Sequence, residues 1–101
     1  MYLTYVIFEV KSEDAGKINK LIKDDTVSRQ SILTRDSSSL GIKGEALYLK
    51  IEGSIEGIKK AEELSKEQGF KKLNKKKAED VNNKIAEQED SAASGMGMIF
   101  D

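Results

Sequence analysis

The chain alternates between short, dense apolar stretches and longer runs in which apolar residues recur every three or four positions. Residues 2–10, YLTYVIFEV, hold only Thr4 and Glu9 as polar positions and are otherwise β-branched, aromatic or leucine. That density fits a central strand, apolar on both faces, better than a half-exposed edge. In the following KSEDAGKINKLIKDD, Ala15, Ile18, Leu21 and Ile22 make one helical stripe. Ser12 is the expected N-cap, with Glu13 and Asp14 at the positive end of the helix. TVSRQSILTRD has only Val27, Ile32 and Leu33 as apolar positions and reads as a polar edge strand, where an arginine opposes edge-to-edge pairing. SSSLGIKG is hairpin material. EALYLKIEG then alternates with period two: Leu47, Leu49 and Ile51 on one face, Tyr48, Lys50 and Glu52 on the other.

The clearest helix is SIEGIKKAEELSKEQG. Ser54 is placed to cap it, Glu56 lies in its first turn, Gly69 ends it, and Ile55, Ile58, Ala61 and Leu64 form its apolar stripe. Phe70 and Leu73 of FKKL return the chain to the sheet as a short last strand. NKKKAEDVNNKIAEQED predicts a third helix with a thin stripe of Ala78, Val81 and Ile85. SAASGMGMIFD has no helical period and is expected to be flexible in the free monomer.

The predicted order is β-α-β-β-α-(β)-α. The fold class is therefore α+β: a two-layer α/β sandwich of ferredoxin-like order over residues 1–73, a C-terminal helix over 74–90, and a flexible tail over 91–101. In that arrangement the first and third strands are central and two helices share one face. The other face of the first strand stays apolar, and something must cover it. A second subunit, the third helix or GMGMIF tail of the same chain, or a ligand would serve. Met96, Met98, Ile99 and Phe100 make that tail an adaptable apolar tag.

Composition narrows the chemistry. The chain has 101 residues, room for one domain, with 17 basic and 18 acidic residues and a net charge of -1, so no global field draws it to nucleic acid or anionic membrane. Cysteine and histidine are absent. This removes disulfides, thiolate nucleophiles, N/S-ligated metal sites and any imidazole base. No cofactor, metal or catalytic residue is expected, and an enzyme is the less favoured class. No apolar run reaches the roughly 20 residues of a membrane span, and the N-terminal stretch lacks the basic flank and cleavage site of a signal peptide. The expected location is the cytoplasm.

Three motifs invite sharper readings. Gly41-Ile42-Lys43-Gly44 fits the G-x-x-G loop of nucleic-acid-binding KH modules, but here it leads into a strand rather than joining two helices. Glycine at positive φ in a hairpin explains it more cheaply. Lys43, Gly44 and Ala46 match part of an RNA-recognition strand, yet Glu45 and Leu47 stand where stacking aromatics belong. Lys71, Lys72, Lys75, Lys76 and Lys77 form one basic cluster within eight residues and are the alternative, nucleic-acid-binding candidates. Among acids, Glu62, Glu63 and Glu67 fall on a solvent face, and Asp24 and Asp25 end a helix. Nothing predicted to desolvate either group makes it an acid/base pair.

KGEALYLKIEGSIEGIKKAEELSKEQGFKKL, Lys43 to Leu73, resembles the second half of small ligand-sensing modules of the NIL and ACT type. The shared pattern is a strand ending in Glu–Gly, a small cap residue, Ile, Ala and Leu on one helical face, then Gly and a hydrophobic residue entering the last strand. The resemblance implies a ferredoxin-like regulatory domain that pairs with another copy and binds an amino acid or similar metabolite at the interface. The expected function is thus a non-enzymatic module that self-associates through its open sheet face, as a homodimer or with a partner protein, and senses a small molecule. Tyr5, Ile7, Phe8 and Tyr48 are the candidate ligand or interface residues. Nucleic acid and membrane are not expected partners.

Overall fold

A computed structural model describes residues 4–100, with side chains described for residues 4–88. β1 (Thr4–Lys11) leads into a 3-10 turn (Ser12–Lys17), α1 (Ile18–Ile22) and α2 (Asp25–Ser28). β2 (Ser31–Asp36), β3 (Ala46–Gly53), α3 (Ile55–Gln68), a two-residue β4 (Lys71–Lys72) and α4 (Lys75–Phe100) follow. The four strands make one antiparallel sheet in the order β2-β3-β1-β4, giving an α+β fold.

The two strands richest in apolar residues are central and pair antiparallel over their full lengths, from Thr4 opposite Gly53 to Lys11 opposite Ala46. Alternation then sorts their side chains. Val6, Phe8 and Val10 of β1 and Leu49 and Ile51 of β3 face one layer, joined by Ile18, Leu21, Val27, Ile58, Ala61 and Phe70. Ile7 and Tyr48 point the opposite way and join Leu40, Leu73, Ala78, Val81 and Ile85. The second face of the sheet is thus covered by α4 and the β2–β3 loop. The expected sandwich gains a third layer.

α3 forms as its signals direct. The Ser54 hydroxyl accepts from the Gly57 amide at 3.1 Å, and Gly69 closes the helix at φ 79°. Its buried stripe is Gly57, Ile58, Ala61 and Ser65. Leu64 is half-buried and Ile55 is 54% exposed, so the stripe expected at 55, 58, 61 and 64 is rotated in its first turn. That turn rides on the Gln30 side chain, not on the sheet. Gln30 Oε1 accepts from the Ser54 amide and its Nε2 donates to the Thr26 carbonyl, while its amide fills the space a Cβ would need at Gly53 and at Gly57.

The first helical segment departs most from expectation. Ser12 does not cap it: its hydroxyl donates to the Glu45 carbonyl across the sheet end, and the capping position is Lys11. The segment is a 3-10 turn and two short helices, with Gly16 inside the 3-10 turn. Thr26 and Val27, expected in the edge strand, belong instead to α2. Asp24 Oδ1 accepts from the Thr26 and Val27 amides at 3.0 and 3.1 Å, and that cap starts a new helix. Val27 is thereby fully buried, and the strand begins only at Ser31.

The β2–β3 connection is a structured loop. Gly41 and Gly44 have φ of 72° and 112°, as the hairpin reading of GIKG requires. The buried Ser37 bridges the loop, donating to the Gly44 carbonyl and accepting from the Ala46 amide. Leu40, between them, is pressed under α4. The α4 boundaries run to Phe100. The tail expected over 91–101, like Tyr2 and Leu3 of the first strand, lies outside the residues whose side chains are described. None of the described helices is long and apolar enough to cross a membrane.

Candidate functional site

The sheet's weakest edge opens a cleft. β4 pairs with β1 only at Phe8 and Glu9, after which the Leu73 amide donates to the Ile7 carbonyl at 3.0 Å and the chain turns away at Asn74. Asn74 Oδ1 accepts from the Lys77 amide at 2.8 Å and starts α4. β1 therefore continues past the point where its neighbour stops. The gap is a cleft of about 540 Å³ between residues 4–7 of β1, the Lys72–Lys75 turn, and Ala78 and Glu79 of α4.

Its floor is apolar and its rim charged. Leu73 and Ala78 are buried, whereas Lys72, Lys75 and Glu79 are exposed. Tyr5 is half-buried at the wall, with the Lys50 ammonium 5.3 Å from its ring centroid. Burial first, and then the carboxylates of Glu79 and Glu52, raise the Tyr5 hydroxyl above its ordinary pKa. Lys75 and Glu79 are four residues apart on α4, yet neither forms an ion pair with any described residue. Lys preceding Glu is the less favourable orientation of such a pair. Both charges remain available to the cleft.

The candidate residues Tyr5, Ile7, Phe8 and Tyr48 do not assemble into one surface. Tyr5 and Ile7 line the cleft. Ile7 is fully buried, and Tyr48, 3% exposed, packs in the same cluster beneath α4. Phe8 belongs to the opposite layer with Leu49 and Ala61, because adjacent strand residues point to opposite faces. Tyr48 is also held above its ordinary pKa, by burial and then by Glu9, with Lys77 opposing the shift.

The five lysines are all exposed. Lys72 reaches Glu62 at 3.1 Å and Lys77 reaches Glu9 at 3.4 Å, so two of the five are partly neutralised in place. Three of the aspartates have structural work. Asp24 caps α2, and Asp25 pairs with Arg29 at 3.1 Å. Asp36 accepts from the Ser39 amide and the Ser38 hydroxyl, which lowers its pKa. Among the described residues no three acidic side chains are grouped to hold a metal ion.

Thr4, Asn74 and Glu79 were not legible as site residues. Asn74 before a lysine run was a readable cap, but nothing in FKKL announces that the last strand stops after two residues. Compared with protein-family models, with curated proteins and with solved structures, the chain matches none.

Proposed function

We propose that this chain is a non-enzymatic α+β module of ferredoxin-like arrangement that holds a small metabolite, within the amino-acid size class or somewhat above it, in the cleft beside Tyr5. The observation that carries the reading is the early stop of β4, which leaves residues 4–7 of β1 as one wall of a half-apolar, charge-rimmed concavity. Its volume lies in the range of small-molecule sites, and an apolar floor with a few polar groups is their usual lining. The ferredoxin-like reading is supported by the order β2-β3-β1-β4 and by one face of β1 and β3 packing on α1 and α3. A titration of the labelled chain with pooled amino acids, nucleotides and short RNA tests the function. Amide shifts at Tyr5, Leu73 and Glu79 are expected, and silence at those positions would sink it.

Self-association through the second sheet face belongs to the same proposal in a narrower form. α4 occupies Ile7 and Tyr48, so a dimer that uses them must lift or exchange that helix. Sedimentation of the intact chain at high concentration distinguishes a dimer from a monomer that keeps α4 in place. Nucleic-acid binding is the second reading, favoured by Lys71, Lys75 and Lys76, which pair with no described acid. RNA-dependent shifts confined to those lysines, weakening steeply with salt, would put it first.

A further inference from the structure

We infer that the cleft beside Tyr5 takes a short peptide with both ends free, of dipeptide size, and not a single amino acid. This rests on the ligand-binding reading above and names the ligand class. The open edge of β1 favours a peptide. The Ile7 carbonyl faces β4, where it accepts from the Leu73 amide. Successive residues of a strand present their backbone groups to alternate edges, so the Tyr5 amide and carbonyl face the same side two residues earlier. The β4 ladder ends at Phe8, and among the described residues no backbone group meets Tyr5 on that side. An extended peptide offers an adjacent acceptor and donor in the spacing such an edge requires.

A pair of unused charges favours free peptide ends. Lys75 and Glu79 line the same cleft and pair with nothing described. Four residues of helix separate their roots by about 6 Å. An extended two-residue peptide reaches about 7 Å end to end, so its carboxylate meets Lys75 while its ammonium meets Glu79. A free amino acid carries both charges on one α-carbon and meets both only if the two side chains converge, which they do not do here. Leu73 and Ala78 provide apolar contact for a side chain, and about 540 Å³ leaves room for two.

The test is calorimetry and amide-shift mapping on the full chain with three probes: alanyl-leucine, leucine, and N-acetyl-alanyl-leucine amide. Alanyl-leucine is expected to bind saturably, moving the Tyr5, Leu73 and Glu79 amides, and blocking both ends should weaken it about tenfold or more. Lys75→Gln and Glu79→Gln should each weaken binding several-fold, whereas Lys20→Gln on α1 should leave it unchanged. Both cleft positions are exposed on a helix, so neither change threatens the fold. Leucine binding in the cleft with alanyl-leucine silent would overturn the peptide inference and leave the ligand-binding reading standing. Equal binding of the blocked peptide would overturn the charge argument and the inference with it. No binding by any probe of either screen would overturn both.

Discussion

The two faces of the sheet are built from the same strands and held to different degrees. On the first, five strand residues meet apolar side chains from α1, α2, α3 and the turn into β4, forming a cluster with Val27, Leu49, Ile51 and Ala61 fully out of water. On the second, the described part of α4 contributes Ala78, Val81 and Ile85, and Leu40 arrives from a loop. Polar contacts complete the second seam: Arg35 donates to Gln88 at 3.2 Å, Gln88 donates to the Ser39 carbonyl, and Lys77 pairs with Glu9. Exposed ion pairs contribute about 0–1 kcal/mol each, so the seam rests mainly on its few apolar residues. One face fixes the fold and the other is a cover laid over it. That asymmetry lets a cleft open at one end of the second face without loss of the core.

Hollowing each face in turn separates the two most strongly. Phe8→Ala removes the largest fully buried side chain of the first cluster and should cost about 3–5 kcal/mol, enough to unfold a domain of this size cooperatively. Thermal unfolding followed by circular dichroism and by amide exchange should report one shared transition. Ile85→Ala on the second face should cost about 2–3 kcal/mol and act locally. Exchange should rise in α4 and in the loop around Leu40 while α3 stays protected. If Ile85→Ala loosened both faces equally, the idea of a cover over a separate core would be wrong.

A smaller effect sharpens what holds the first face. Gly57→Ala alone improves helix propensity by about 1 kcal/mol but drives a Cβ into the Gln30 amide, which then gives up its bond with the Ser54 amide. The two contributions should nearly cancel. In a Gln30→Ala background the conflict is gone, and Gly57→Ala should stabilise by about 1 kcal/mol. A double-mutant cycle by urea denaturation measures this coupling, and additivity would show that Gln30 does not set the approach of α3.

How far the sequence carried these conclusions follows from the range of each interaction. α3 was readable because its cap, stripe and terminator lie within its own residues. β1 and β3 were recognisable as the central pair because apolar density on both faces marks the first and apolar alternation the second. The covering of the second face was readable only as alternatives: Ala78, Val81 and Ile85 make a stripe, but a stripe does not say which surface it meets. The first helix failed where local signals competed. Ser12 and Asp24 are both good capping residues, and tertiary contact gave Ser12 to the Glu45 carbonyl while Asp24 started a helix of its own. Gln30 was invisible because its role depends on two glycines more than twenty residues away. The cleft was invisible for a related reason, since it exists where a strand ends early.

The finest test of the two faces uses pH. Tyr48 is buried in the second cluster, and burial together with Glu9 keeps its hydroxyl protonated above the ordinary value of 10.0. The native state therefore holds this proton more tightly than the unfolded chain. The stability this contributes is complete below pH 10 and is lost as pH rises through the raised native value. Among the described residues the first face carries no tyrosine, so alkaline loss should begin at α4, with increased exchange there before α3 responds. Tyr48→Phe removes the titrating group while keeping the ring. It should change stability near pH 7 by only a few tenths of a kcal/mol and shift the onset of α4 release to higher pH. An unchanged alkaline onset in that variant would move the effect to Tyr5, whose hydroxyl is also raised and which packs against the same cluster, and would leave the Tyr48 phenol a packing group alone.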